Sequence, residues 1–555
     1  MLGNIVQESP DKPTNENVAD ETLVGQPTAN FRLETSTRLS QSCLWKLQRN
    51  YFDQQGIRAW NEAVVPHYIT SNPWIARAYA KVVFGWLRDY HAAGMTDNAP
   101  PPLDADQPVY IVELGCGSGR FGYLFLNKLL GLLNRSVLKG QAIKYVYTDF
   151  TEYNLDILRS HPSLQTFVDA GLLDFACFDL ELDHELQLSH SGELLSAATI
   201  KNPLVVLANY VFDGVRQDCF WIGNGQLHAS LVNVESSQEE SDLSDPEIIE
   251  RLRITYERQP VAADYYNNPA WNHILDSYRQ RLTDTVVLFP YAALTCLEHL
   301  CELSSNRLLL LSGDKGDIYE ESLLNRTEPY LDVHGSFSLS VNYHAIGQRV
   351  VSLGGEFLRT SHRHSNLNIV AGLLGNLAGG YVETRLAYDE AIENQGPDDF
   401  FCLKKNVEQN YRNFTAEQLV GYLRLTGWDH NILLGCFPAL MECVRTAPLP
   451  LLDEFRVLVR NVWQTYFPIR EPNDLAFHLG LLLYAMQDYE DALEFFQYSL
   501  QLYGPDQATA VNMAVCHFNL GQLAEAQDNI NLALDLAPEL EVAHDLANMI
   551  QAAMK

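Results

Sequence analysis

The chain has 555 residues, of which 47% are hydrophobic, more than one core usually organises, so three or more globular units are expected. Lys and Arg total 38 against 70 Asp and Glu, a net charge of -32 that repels phosphate backbones and argues against nucleic acid as substrate. No uninterrupted apolar run approaches the roughly 20 residues of a membrane span, the 10 cysteines include no CxxC pair, and no secretory leader opens the sequence. A cytoplasmic protein away from membranes, with reduced thiols acting as small core residues, is the expectation.

Residues 1–36 carry few large apolar side chains, too few to offset the entropy of ordering, and read as a flexible tail. Residues 37–100 read as a helical lead-in: an aromatic-rich run with Trp45, Tyr51 and Phe52, a second run from Pro73 to about Ala93, and a proline linker at 98–102. From Tyr110 the pattern alternates. Apolar strands at 110–114, 144–148, 175–178 and 204–208 end at the glycines after Leu114, at Asp149, at Asp179 and at Asn209, and a fifth spans 308–311. Helical stretches with Leu124, Leu126 and Leu129, then Leu155 and Leu158, then Leu294, Leu297 and Leu300 lie between them. This α/β alternation predicts a mostly parallel sheet over 101–375, with ligands at the carboxyl ends of its strands.

Between the fourth and fifth strands, 234–250 is acidic and Ser-rich, a solvated loop or an acidic docking surface. The aromatic stretch 256–281, with Tyr265, Tyr266, Trp271 and Tyr278, is expected as a helix packed on the core, or as a cap over the site's mouth. Another helix and a hairpin-like strand pair follow Phe337. His362 and His364 alternate along an expected strand there, but two histidines without a third ligand make a poor metal site, and no metal is expected.

Residues 376–472 read as a helical domain broken at Pro448 and Pro450, and 473–555 carry a period of 34 residues. Gly480 aligns with Ala514, Ala492 with Ala526, Phe496 with Ile530 and Leu500 with Leu534, small and large residues where stacked helical hairpins touch. The stretch resembles the tetratricopeptide repeat family: two repeats and a closing helix from Val542, with Gln487 in place of the first turn glycine.

The glycine turn after the first strand permits two parsings. Gly117 to Gly122 satisfies GxGxxG, the dinucleotide fingerprint. Gly115-Cys116-Gly117-Ser118-Gly119 with Glu113 before it resembles the S-adenosylmethionine motif of class I methyltransferases. Asp149 stands where a carboxylate accepts ribose hydroxyls, with Phe150 next to it, and Asp179-Leu180 stands where methyltransferases place a polar group against the adenine amine. A single glycine turn without a second mononucleotide half favours S-adenosylmethionine. Cys116 reads as a small wall residue between the glycines.

Longer segments narrow the resemblance. His67 to Ala76 with Phe84-Gly85, then Leu207-Ala208-Asn209-Tyr210-Val211-Phe212-Asp213, then Leu311 to Gly316, then Ser338 to Tyr343 are similar, in order, to segments of MidA-like methyltransferases, the class that includes the mitochondrial complex I assembly arginine methyltransferase. Tyr210 stands where that family has glutamate, and Asn342 where an aspartate is usual. An arginine acceptor stays charged and calls for carboxylates, so the two replacements count against it.

The resemblance implies cofactor contacts from Glu113, Gly115, Gly117, Gly119, Asp149, Phe150, Asp179 and Leu180. Asp213 is the candidate for orienting or deprotonating the acceptor, with Asn209 and Tyr210 positioning it; a helix cap or ion-pair role for Asp213 is the alternative. Two functions stay open: an active methyltransferase whose helical repeats recruit a protein substrate, or a degenerate or ligand-binding scaffold serving the repeats as an interaction module. A small-molecule acceptor is a third.

Overall fold

A computed structural model describes residues 31–61, 68–95, 103–262, 264–363 and 366–555. Most of the expected tail, the linker at 98–102, His67 and His364 lie outside them. The chain divides into two compact units at 402/403.

The first unit opens with β1 (Phe31–Thr37), α1 (Leu44–Gln55), α2 (Arg58–Asn61) and α3 (Pro73–Ala93). β2 (Val109–Leu114), α4 (Arg120–Leu133), β3 (Ile143–Asp149), α5 (Glu152–Arg159), α6 (Pro162–Asp169) and β4 (Leu173–Cys177) follow. A short hairpin, β5 (Leu186–Gln187) and β6 (Leu194–Leu195), leads to β7 (Leu204–Asn209). Next come β8 (Asp218–Gly223), β9 (Gln226–Ser236), β10 (Leu252–Pro260), α7 (Pro269–Arg281), β11 (Thr285–Phe289) and α8 (Tyr291–Leu303). β12 (Leu308–Asp314), the pair β13 (Asp332–His334) and β14 (Ser336–Ser338), α9 (Tyr343–Ser352), β15 (Glu356–Arg359), β16 (Asn368–Leu374) and α10 (Val382–Tyr388) complete it.

Seven strands form the central sheet in the order β4-β3-β2-β7-β12-β16-β15. β4 through β12 are mutually parallel; β16 runs antiparallel to both β12 and β15. Every residue of β2, β12 and β16 is buried, as strands covered on both faces require. A dinucleotide-binding sheet keeps its sixth strand next to the fifth. Here the last strand inserts antiparallel between the fifth and sixth, which is the arrangement of the class I methyltransferase fold.

A second, antiparallel sheet fills the insertion after β7. β9 pairs with β10 over nine residues on one side, and with β8 and then β1 on the other, while β11 extends it beyond β8. Three expectations are corrected by this sheet. Residues 31–36 are an edge strand rather than tail, because Leu33 packs on a buried cluster with Trp45 and Val234. Residues 234–236 belong to β9, and the acidic run after them is loop with Glu240 and Asp245 tied to Arg251. Residues 256–260 are strand, not helix: Leu252, Ile254 and Tyr256 alternate inward against Arg253, Thr255 and Glu257, the period of a half-buried strand. The helix starts at Pro269, with the Asn268 side chain capping it.

The first unit also runs past the boundary expected at 375. α10 docks on α3 because the buried Asp89 carboxylate accepts the amides of Glu383 (2.9 Å) and Thr384 (2.8 Å) and the Thr384 hydroxyl (2.7 Å). Residues 361–363 form a bend between β15 and β16 rather than the strand expected around His362.

The division falls within α11 (Pro397–Asn410), and the second unit continues as α12 (Ala416–Leu425), α13 (His430–Thr446), α14 (Leu449–Thr465), α15 (Leu475–Ala485), α16 (Tyr489–Tyr503), α17 (Gln507–Asn519), α18 (Leu523–Leu536) and α19 (Glu541–Met554). A Cβ at Gly480 would stand 2.6 Å from the Phe496 ring, so α15 and α16 meet without room for a side chain. Ala492, Ala514 and Ala526 are fully buried at the corresponding contacts. The turn residues Gln487 and Gly521 both adopt left-handed backbone, φ +65° and +76°. Among the described residues no helix is long and apolar enough to cross a membrane.

Candidate functional site

β2 delivers its buried chain into a turn where Gly115, Gly117 and Gly119 all have positive φ (+59°, +51° and +73°), and α4 starts at the next residue. Such angles are open to glycine at little cost. Space adds a second demand. A Cβ on Gly119 would meet Leu158 at 2.7 Å, and one on Gly115 would meet Val211 at 3.0 Å. The Cys116 amide donates to the Thr148 carbonyl at 2.8 Å, which ties the turn to β3. Burial pushes the Cys116 thiol well above its ordinary range, as suits a wall residue.

Glu113 stands behind the turn. Alternation along β2 points it under α4, where it accepts the Tyr145 hydroxyl at 2.9 Å and lies 2.7 Å from where a Cβ of Gly122 would be. Burial there pushes its carboxyl up to about 8, against the Tyr145 hydrogen bond. In this arrangement Glu113 braces the turn and the helix behind it.

Asp149 and Asp179 sit at and just beyond the carboxyl ends of the adjacent strands β3 and β4. Asp149 is buried; one oxygen accepts the Thr151 amide and hydroxyl, both at 2.9 Å, and the other accepts Asn154 Nδ2 at 3.0 Å. Burial raises its pKa, opposed by those donors. Asp179 accepts the Glu181 amide at 3.0 Å and pairs with the Arg49 guanidinium. Leu180 packs against the main core.

Asn209, Tyr210 and Asp213 gather at the other half of the sheet edge. Asn209 Oδ1 accepts the hydroxyl of Tyr79, a buried α3 residue, at 2.7 Å. Asn209 Nδ2 is buried with no partner among the described residues. Tyr210 has φ +51°, rare for a tyrosine, and its amide donates to the Gly313 carbonyl at 3.0 Å.

Sequence reasoning did not count Asp314 among the site residues. One oxygen of its fully buried carboxylate accepts the successive amides of Val211 (3.2 Å), Phe212 (3.1 Å) and Asp213 (3.2 Å), folding the loop after β7 over the end of β12. The Asp213 and Asp314 carboxyl groups also act on each other electrostatically. Burial pushes Asp213 up to about 6. Burial first, and then the charge of Asp213, raise Asp314 well above the usual carboxylate range. Two carboxyl groups so placed resist ionising together. The available signal was an acid ending an apolar run, the same one that marked Asp149 and Asp179.

The second missed group comes from the lead-in. Gln48 Nε2 of α1 donates to the Gly214 carbonyl at 2.9 Å, Arg49 stacks 4.6 Å from the Phe150 ring centroid, and Trp60 lies 3.2 Å from where a Gly117 Cβ would be. Contacts across more than fifty residues leave no local mark in the sequence. Asn342 is placed as a structural residue: its side chain caps α9 by accepting the Ala345 amide at 2.9 Å and donates to the Leu288 carbonyl at 2.9 Å. Among the described residues no cluster of three or more His, Cys, Asp or Glu side chains is placed to hold a metal.

No family model matches this chain, and no curated protein matches it. Solved structures resemble it slightly. An uncharacterized superfamily protein from Burkholderia thailandensis aligns with a TM-score of 0.35 and 11% identity over 63% of this chain and 97% of its own. A candidate methyl transfer enzyme of the same superfamily and organism, bound to S-adenosyl-homocysteine, aligns at 0.34 and 11% over 62% and 97%. An O-methyltransferase family protein from that organism aligns at 0.26 and 10% over 60% and 63%. Scores of this size carry no functional argument, and the fold assignment rests on the strand order and the glycine turn.

Proposed function

We propose that this chain is an S-adenosylmethionine-dependent methyltransferase of MidA-like type whose acceptor is a protein recruited by the tetratricopeptide-like helices of the second unit. The observation that carries this reading is the conjunction of three left-handed glycines after β2 with carboxylates at the ends of the next two strands, Asp149 and Asp179. The residues fit the cofactor: the turn is one that Cβ atoms would fill, and Asn209 offers a buried N–H₂ without a partner beside it. Glycine amides and the α4 N-terminus suit a carboxylate, Asp149 suits a diol, and Asp179 suits an amine.

The bound cofactor supplies an electrophilic methyl group, so the chain's own task is to orient an acceptor lone pair and remove any proton it carries. The Asp213–Asp314 pair is suited to the second task, since a carboxyl held near 6 exchanges a proton at neutral pH. Asn209 and Tyr210 flank it. Arginine is disfavoured as acceptor, since Tyr210 brings no carboxylate and Asn342 is spent on a helix cap.

One observation favours the second reading, a scaffold without turnover: the Asp179 carboxylate and the Phe150 ring are engaged by Arg49. Calorimetry with S-adenosylmethionine and S-adenosylhomocysteine decides the common premise. Heat of binding from wild type and none from Gly117→Arg is expected; silence with both ligands refutes the cofactor. A labelled-methyl transfer assay on lysate then separates enzyme from scaffold, with wild type expected to label a protein band and Asp213→Ala to label it weakly or not at all.

A further inference from the structure

The segment Leu44–Asn61, α1 and α2, touches the strand ends at four places. Gln48 binds the Gly214 carbonyl, Arg49 engages Phe150 and Asp179, Gly56 lies against the Tyr153 ring, and Trp60 covers Gly117. Gly56 has φ +49°, and a Cβ there would stand 2.4 Å from the ring of Tyr153, an exposed side chain. Three of the residues so covered, Gly117, Phe150 and Asp179, are ones nominated for the cofactor.

Arg49 makes the decisive contact. A guanidinium is planar, stacks on aromatic faces and donates N–H groups in its own plane to a carboxylate. Adenine offers the same pair of features, a flat π face and an exocyclic N–H₂ at its edge. Arg49 lies on Phe150 and donates to Asp179, so it satisfies both groups at once.

We infer that Arg49 is a built-in competitor for the adenine end of the cofactor site, and that the cofactor is admitted only when Arg49 leaves Phe150 and Asp179. The inference rests on the methyltransferase reading above. Arg49 therefore sets the cofactor's affinity without belonging to the bound site. The pair is partly exposed, with side-chain exposures of 36% for Arg49 and 16% for Asp179, so its grip is modest and reversible. A partly exposed ion pair together with a stacked cation weakens the competing ligand by roughly three- to thirtyfold.

Titration of the full chain with S-adenosylhomocysteine and with adenosine, by calorimetry, tests this. Arg49→Ala is expected to bind both about tenfold more tightly than wild type, while Arg58→Ala, on the exposed side of the same segment, binds as wild type does. Raising the salt from low to 0.5 M is expected to tighten wild-type binding of the uncharged adenosine, because the Arg49–Asp179 pair is screened, and to leave Arg49→Ala unchanged. Arg49→Gln, which keeps the length and loses the charge, is read in the same way if Arg49→Ala fails to fold. Equal or weaker binding by the Arg49 variants overturns the competition and leaves the cofactor reading standing. Binding by neither wild type nor the variants overturns the cofactor reading itself, whereas binding by the variants alone supports both.

Discussion

The two halves of the sheet edge each carry a pair of aspartates, and they handle charge in opposite ways. At the β3–β4 end, Asp149 and Asp179 face separate partners: hydroxyl, amide and carboxamide donors for the first, a guanidinium for the second. At the β7–β12 end, Asp213 and Asp314 face each other, and Lys315 is committed to Asp332 at 2.7 Å. Separate donors keep an acceptor ready to receive further hydrogen bonds. Two carboxyl groups that resist ionising together hold a proton instead. Under the proposed function the difference gives recognition to one half of the edge and proton handling to the other, although both are built from aspartates after apolar strands.

The largest effect that would break this contrast is loss of the Asp314 carboxylate. Asp314→Ala leaves three successive amides without their acceptor in a buried turn, and a loss of about 3–5 kcal/mol in unfolding free energy is expected from denaturant titration. Asp314→Asn keeps an acceptor oxygen and isolates the charge. In wild type, Asp213 has its pKa raised in the folded state, so the stability this group contributes is fully present below the unfolded value near 4 and is lost as pH rises through about 6. The drop is at most about 3 kcal/mol. Asp314, itself raised by burial and then by the charge of Asp213, no longer titrates in Asp314→Asn, and the pH dependence of stability between 4 and 7 is expected to flatten. A profile unchanged from wild type would mean the two carboxyl groups do not interact.

At the recognition end a smaller effect is expected. Asn154 Nδ2 donates to Asp149 at 3.0 Å and also reaches the Gly117 carbonyl at 3.4 Å, so it joins the acid to the glycine turn. Asn154→Ala is expected to cost about 2 kcal/mol of stability by thermal or chemical melting. It should weaken nucleoside binding without changing the pH profile of the other end. A shift in that profile would show that the two halves are coupled.

What was legible in the sequence follows the range of the interactions. The strand ends at Asp149, Asp179 and Asn209 stood out because a buried parallel strand is an apolar run and its polar terminus is abrupt. The antiparallel insertion was harder to see. Its edge strands β1 and β10 are largely exposed, and Leu252, Ile254 and Tyr256 alternate inside a stretch rich in acids and aromatics. β1 was illegible because one edge strand with Phe31 exposed gains its partner from residues two hundred positions away. The site divided along the same line. Asp213 was nominated from its distance past a strand, but the residue that folds its loop, Asp314, is identified by three amides that sequence does not reveal. Arg49 lacked even that cue.

Tyr210 offers the finest test of the comparison. It follows β7 directly, between the two halves of the edge, with φ +51°, a conformation that costs an L-residue with a large side chain roughly 1–2 kcal/mol. Asparagine tolerates that region far better. Tyr210→Asn is therefore expected to raise stability by about 1 kcal/mol, read as a higher denaturant midpoint at unchanged slope. If the ring serves the acceptor, the same variant should retain nucleoside affinity and lose methyl transfer, the signature of strain kept for function. If transfer survives with the gain in stability, the tyrosine is dispensable and the acceptor end reduces to Asn209 and the aspartate pair. A fall in stability would mean the aromatic contacts of Tyr210 outweigh its backbone strain, and the residue would then belong with the packing of the β7 loop.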